Sequence, residues 1–225
     1  MAEAEKPKNR PALHKLMCGD STDAGDVGRL MGGATRWSLL IDPPYGIDAA
    51  NMQMGIGKRE FPRSGEWDRE RADIGPHVDA AHMAIVWGGN YYADVLPVTG
   101  DWLCWHKKND NRCFGEFELA WSNVGQRCRI VQHHWSGEEK LHVTQKPLEV
   151  IEWCMRFLPE SELVADLFLG SGTTLVACEQ TGRIGYGMEI EPKYCAVTLE
   201  RLTGMGLEAR VVDENCEHAQ GQSVS

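Results

Sequence analysis

The first chemically suggestive block is Asp42-Pro43-Pro44-Tyr45, which directly follows the apolar run 37–41. That run predicts a buried strand, and ligands of open α/β sheets bind where such strands end. An exocyclic base amine is a poor nucleophile because its lone pair is delocalised into the ring. Asp42 and the Pro43 carbonyl could accept both amine hydrogens and stabilise the positive charge that develops as the nitrogen attacks a sulfonium methyl group. Tyr45 offers a ring face on which a flipped base could stack.

A second block, Asp-Leu-Phe-Leu-Gly-Ser-Gly-Thr-Thr at 166–174, runs from a predicted strand into a predicted helix. Its glycines let backbone amides approach a ligand closely, although the Gly-x-Gly spacing is too short for a dinucleotide fingerprint. Glu189 ends the next strand about 20 residues on, where an acid can accept hydrogen bonds from ribose hydroxyls. The candidate ligand contacts in the block are Asp166, Phe168, Gly170, Ser171, Gly172 and Thr173.

A third block, His142-Val-Thr144-Gln-Lys146-Pro147, stands at the start of an amphipathic helix predicted over 147–158. The free amides and the positive dipole end of a helix N-terminus favour an anion there. A cofactor carboxylate would suit this position.

Alternating β and α segments must hold these blocks, and they predict an α/β fold with a largely parallel sheet and helices on both faces. Strands 37–41 and 163–168 should be adjacent at its centre, because the Asp42 block and the glycine turn must face one cleft. Three apolar runs without helices between them are predicted as antiparallel strands, one of them at an edge: 102–105, 117–121 and 129–133.

Length and composition indicate one domain over residues 1–225, because 225 residues with 42% hydrophobic content can bury a full core. Residues 48–75 predict a long loop on the target side, and 214–225 a disordered tail. The charged start 1–6 lacks the apolar run of a signal peptide, and no apolar stretch is long enough to span a membrane. We therefore expect a cytoplasmic protein.

The net charge of −10 argues against a general nucleic-acid coat. Residues 147–225 carry 5 basic and 13 acidic residues, which leaves 18 basic and 20 acidic residues for 1–146, so DNA would bind the N-terminal two thirds. The candidate DNA contacts are Lys58, Arg59, Arg63, Lys107 and Lys108.

The eight cysteines show no C-x-x-C spacing, so we expect reduced thiols and no metal. One alternative stays open, in which a hairpin brings metal ligands together. Its candidate ligands are Cys104, His106, Cys113, Cys128, His133 and His134.

Taken together, residues 13–205 resemble the permuted β class of DNA amino-methyltransferases, and in particular compact members from phages and prophages. In that class the block matching 42–45 precedes the cofactor glycines and holds the target amine. The resemblance implies a Rossmann-like fold dependent on S-adenosylmethionine, with the cofactor held by 166–173 and Glu189. It also implies that Thr144 and Lys146 close on the methionine moiety and that Asp20 meets the cofactor adenine, with Asp213 as the alternative.

The implied activity is methylation of adenine N6 in DNA, because cytosine-N4 enzymes more often carry Ser in place of Asp42. Cytosine-N4 methylation remains the first alternative. A catalytically silent nucleic-acid-binding partner is the second, although it would be expected to carry a damaged Asp42 block or glycine turn. The oligomeric state is left open, with a homodimer as one option.

Overall fold

A computed structural model describes residues 14–47, 70–109, 115–125, 127–134, 145–160 and 163–210. The strands are β1 Lys15–Cys18, β2 Trp37–Ile41, β3 Met83–Trp87, β4 Asp101–His106, β5 Phe117–Ser122, β6 Arg129–Gln132, β7 Leu163–Asp166 and β8 Gly185–Glu189. The helices are α1 Ala24–Met31, α2 Gly75–Ala80, α3 Leu148–Met155, α4 Thr173–Thr181 and α5 Pro192–Gly204, and a 3-10 turn spans Gly89–Tyr92.

The strands form one sheet in the order β1-β8-β7-β2-β3-β5-β4-β6. The central strand β2 pairs in parallel with β7 on one side and with β3 on the other. The predicted adjacency of these two site-bearing strands is confirmed, as is the α/β fold with a mostly parallel sheet. The carboxyl ends of β2 and β7, from which the Asp42 block and the glycine turn leave, therefore lie side by side.

The antiparallel strand is β5, and it lies inside the sheet rather than at the predicted edge. It runs antiparallel to both β3 and β4, whereas the edge strand β6 is parallel to β4. The reason is the direct connection from β4 to β5, which sends β5 back along β4 and between β4 and β3. The first residues of β5 consequently lie at the end of the sheet where its parallel neighbours finish.

Burial on both faces explains the continuous apolar run of β2, all five residues of which are buried. Leu39 and Ile41 pack into one core with Leu167 and Met188, while Leu40 packs on the opposite face in a second core. Helices cover both faces, as predicted for an α/β sheet. This packing holds the carboxyl end of β2 rigidly.

The helix boundaries follow local sequence signals. Asp23 caps α1 by accepting a hydrogen bond from the Asp26 amide, and Gly32 ends the helix at φ +55°. Pro147 stands immediately before α3, and α5 begins with Pro192, where a missing amide hydrogen costs no helical bond. The helix that carries Lys146 on its preceding turn therefore starts where the sequence predicts.

Within the described ranges, no helix combines the length and the apolar character that crossing a bilayer requires. Most of the predicted loop 48–75 and the whole predicted tail 214–225 lie outside the described residues. The same holds for five candidate residues: Lys58, Arg59, Arg63, Thr144 and Asp213.

Candidate active site

A cavity of about 330 Å³ opens at the carboxyl ends of the central strands. It is lined both by Asp42 and by the glycine turn with Glu189, so the structure brings the first two sequence blocks to one cleft. The predicted site residues on its wall are Asp20, Asp42, Pro44, Lys146, Asp166, Phe168, Gly170, Ser171, Thr173 and Glu189. The volume falls within the range of small-molecule sites.

Asp42 is held from both sides at the end of β2. The Tyr45 hydroxyl donates a hydrogen bond to Oδ1, and the Lys146 ammonium lies 2.5 Å from Oδ2. Burial raises the pKa of Asp42 above its usual value, and the positive charge of Lys146 opposes that rise. The carboxylate is thus fixed in orientation while about a fifth of its side chain, 21%, stays exposed.

Lys146 occupies the target side of the cavity, next to Asp42. Its ammonium lies 3.0 Å from Glu118 as well as 2.5 Å from Asp42, and it stands over the Trp87 ring at 5.4 Å from the centroid. Burial alone would lower the pKa of Lys146, but the two carboxylates outweigh it and raise that pKa. The predicted role at the cofactor's methionine end thus competes with two carboxylate partners.

Glu118 is a site residue that the sequence analysis missed. It stands near the start of β5, opposite Trp105 of β4, and it pairs with Lys107 at 2.7 Å as well as with Lys146. Burial would raise the pKa of Glu118, but the two lysines lower it to about 2. The available signal was a carboxylate inside the apolar run 117–121, because a charge is rarely buried without a partner.

Tyr45 packs in a cluster of aromatic rings and backbone. Its ring stacks on Tyr91 with centroids 4.7 Å apart, and a Cβ on Gly88 would lie only 2.1 Å from it. Tyr92 donates a hydrogen bond to the Pro44 carbonyl at 2.5 Å. The 3-10 turn after β3 therefore supports the whole 42–45 block from one side.

Asp166 shapes the glycine turn at the end of β7. It accepts hydrogen bonds from the Phe168 amide at 3.0 Å and from the Thr174 hydroxyl at 2.5 Å. Burial raises its pKa to about 7, although both bonds favour the charged form. The side chain spans the turn from strand to helix and thereby fixes the path of the glycines.

The turn is also fixed from α5. Gly172 adopts φ +83°, and a Cβ there would lie 2.5 Å from the Thr198 hydroxyl oxygen. Arg201 donates a hydrogen bond to the Ser171 carbonyl at 2.6 Å. Neither Thr198 nor Arg201 was predicted, since nothing in the local sequence indicates that α5 folds onto this turn.

Glu189 ends β8 against the same turn. Its carboxylate accepts hydrogen bonds from the Gly170 amide at 2.7 Å and from the Glu191 amide at 2.9 Å, while burial raises its pKa. Asp20 follows the neighbouring strand β1 and accepts from both the amide and the hydroxyl of Thr22. Two acids thus line one end of the cavity, as a hydroxyl-bearing ligand would require.

The remaining predicted residues lie outside this group. The Lys107 ammonium is engaged by Glu118, whereas Lys108 is exposed at φ +52°. No group of three or more potential metal ligands comes together among the residues that the structure describes.

Comparison with known proteins supports the same interpretation. Type II methyltransferase M2.LlaDCHI of Lactococcus lactis subsp. cremoris is 30% identical over 112 residues, which are 44% of this chain and 40% of that protein. The matched segments span less than half the length of the curated relatives.

Two solved structures share the fold. A crystal structure of the M1.HpyAVI-SAM complex matches with a TM-score of 0.55 and 22% identity, over 83% of this chain and 98% of that one. The cytosine-N4-specific PvuII DNA methyltransferase matches with a TM-score of 0.56 and 16% identity, over 94% of both chains.

The family described as N6/N4 DNA methylase matches residues 86–200, which are 115 of the 225 residues. This segment contains Glu118, Lys146, the glycine turn and Glu189. The chain belongs to the N6/N4 DNA methylase family.

Proposed function

We propose that this protein transfers a methyl group from S-adenosylmethionine to the N6 amine of adenine in DNA. One observation carries the proposal: a single cavity is lined by the amine-accepting Asp42 and by the glycine turn with Glu189. Membership of the N6/N4 family supports a base amine as the acceptor, and it covers adenine and cytosine alike.

The donor set on the cavity wall fits S-adenosylmethionine. Glu189 and Asp20 present carboxylates to the hydroxyl and amine groups of a nucleoside, and Phe168 adds an aromatic wall. Glu189 accepts two backbone amides, and a carboxylate with about four lone-pair sites can still accept a ribose hydroxyl. The bound cofactor would supply a methyl group activated by a sulfonium.

Asp42 would act on the target amine. Its carboxylate accepts an amine hydrogen, which concentrates the lone pair on nitrogen and stabilises the positive charge of the transition state. As the nitrogen–methyl bond forms, the sulfur–methyl bond breaks, and the nitrogen then sheds a proton. Because burial raises its pKa, Asp42 is a stronger base than an exposed aspartate and can take that proton.

The preference for adenine rests on the residue type at position 42. The resemblance associates Asp at this position with adenine and Ser with cytosine. Tyr45, which the resemblance assigns to holding the target, has its ring stacked on Tyr91 and fixed beside Asp42. Such a stack gives a flipped base a rigid edge against which to dock.

DNA contact is proposed for the basic residues beside the cavity mouth. Lys108 is exposed just beyond β4, and the uneven charge distribution favours the N-terminal two thirds of the chain. Lys58, Arg59 and Arg63 follow the Asp42 block in the sequence. Replacing these three by alanine should weaken DNA binding and flatten its salt dependence by about 0.9 per lost phosphate contact.

The deciding experiment is methyl transfer from tritium-labelled S-adenosylmethionine to unmodified DNA, followed by digestion to nucleosides. Label in N6-methyldeoxyadenosine is the expected result. Label in N4-methyldeoxycytidine would correct the target base, and the absence of transfer to either base would overturn the proposal.

Asp42→Ala should retain cofactor binding by calorimetry and lose turnover on the order of a hundredfold, as when one preorganised transition-state hydrogen bond is removed. Asp42→Asn, which keeps the shape and removes the charge, should lose turnover as well. An equal loss of cofactor binding and turnover in both variants would indicate misfolding instead.

A further inference from the structure

We propose that Glu118 is a positioning residue of this site, which shares the Lys146 ammonium with Asp42 and thereby keeps Asp42 able to accept the target amine. The inference rests on the proposed function. It assigns a role to a residue of β5 that lies outside the three sequence blocks.

The geometry is a chain of alternating charges. From Asp42 it passes to Lys146 at 2.5 Å, from Lys146 to Glu118 at 3.0 Å, and from Glu118 to Lys107 at 2.7 Å. The Lys146 side chain is only 7% exposed, whereas that of Asp42 is 21% and that of Glu118 30% exposed. A buried ammonium therefore links two carboxylates that both reach water or the cavity.

Sharing matters because Asp42 has few free acceptor positions. Tyr45 occupies one oxygen and Lys146 the other, so an incoming amine must use the remaining lone pairs. An ammonium held by Asp42 alone would make that carboxylate a weaker acceptor and would repel the charge that develops on the amine nitrogen. Glu118 offers the ammonium a second partner and reduces both effects.

The charges around Asp42 come from several elements. Lys146 faces it from the turn before α3 and Glu118 from β5, with Lys107 behind Glu118. Tyr45 faces it from its own loop, with Tyr91 behind from the 3-10 turn. Asp166 acts from the end of β7. These groups include two cations and two further carboxylates, so removing one charge changes the balance at Asp42.

Glu118→Gln should change that balance with a definite sign. The lost negative charge lowers the pKa of Asp42, and Lys146 then pairs with Asp42 alone. The acid limb of the pH-rate profile should move to lower pH by about one unit, the size expected for one nearby charge. The plateau rate should fall on the order of tenfold, because the reacting amine is held less well.

Single-turnover rates at saturating DNA and cofactor test this pair of effects. Glu118→Asp, which keeps the charge, should restore the parental acid limb and part of the rate. Glu116→Gln makes the same chemical change at an exposed position two residues away and should leave both unchanged. An acid limb that stays in place or moves to higher pH in Glu118→Gln would overturn the proposal.

A second measurement needs neither DNA nor turnover. Carbon-13 NMR of protein labelled at the aspartate carboxyl carbons follows the titration of Asp42, with Asp42→Asn to assign the signal. Glu118→Gln should lower the measured Asp42 pKa by about one unit, and Lys146→Met should raise it. If the parental protein transfers no methyl group, this titration still decides the role of Glu118, and an unchanged Asp42 pKa in Glu118→Gln would refute it.

Discussion

Gly88→Ala is expected to disable the site without touching a group that reacts. Gly88 follows β3 at φ +65°, where a side chain is disfavoured by about 1–2 kcal/mol. Its added methyl group would also lie 2.1 Å from Cε1 and 2.3 Å from Cζ of Tyr45. The backbone there is fixed by a hydrogen bond from the Gly88 amide to the Leu119 carbonyl at 2.8 Å. The Tyr45 ring must therefore move.

The required movement follows from these distances. Ordinary contact begins at 3.4 Å, so the ring must shift by at least 1.3 Å, which is 3.4 Å minus 2.1 Å. That shift breaks the hydrogen bond from Tyr45 to Asp42, and a bond to a charged group contributes about 1.5–3 kcal/mol. With the backbone cost, the free energy of unfolding should fall by about 2–5 kcal/mol. Turnover should fall on the order of a hundredfold, as for a displacement of about 1 Å near a reacting group.

Thermal unfolding and steady-state methyl transfer measure the two effects separately. Gly33→Ala is the matched control, because Gly33 adopts φ +78° and no atom lies within 4 Å of the position that its new methyl group would take. It should lose only the backbone part of the stability and keep its turnover. The reasoning would be refuted if Gly88→Ala kept the parental turnover and unfolded no earlier than Gly33→Ala.

Two further predictions concern the glycine turn. Gly172→Asp should abolish cofactor binding in calorimetry, because its Cβ would lie 2.5 Å from the Thr198 hydroxyl oxygen, whereas Gly182→Asp, with φ +71° and open space, should bind. Asp166 has a pKa of about 7 in the folded protein and 3.8 as its reference. Its contribution to stability is full below about pH 4 and is lost as pH rises to 7, on the order of 4 kcal/mol, so in urea unfolding Asp166→Asn should lack this decline. A parallel pH dependence in both proteins would contradict the assignment.

The parts of the site that follow strand ends could be predicted from the sequence. Asp42, Gly170 and Glu189 each stand at or just after the end of an apolar run, and the parallel order of the strands brings such positions to one edge. The adjacency of β2 and β7 followed from the same argument. In these places local pattern and overall fold give the same answer.

The contacts between distant segments could not be predicted in this way. Glu118 meets Lys146 because β5 is antiparallel and inserts between β3 and β4, and no local pattern specifies that insertion. Thr198 and Arg201 reach the glycine turn because α5 packs back on it. Lys146 was assigned from its motif alone, and its contacts with Asp42 and Glu118 depend on the same long-range pairing.

The reversed direction of β5 also determines where this fold can change during evolution. The connection over 107–116 leaves β4 and enters β5 at the ligand end, and its base is closed by a hydrogen bond from the Lys107 amide to the Glu116 carbonyl at 2.8 Å. The Lys107–Glu118 ion pair closes it a second time. Insertions or exchanges between these fixed points would reshape the mouth of the site and leave the core packing intact. New target preferences can therefore be grafted onto this connection while the methyl-transfer machinery is inherited unchanged.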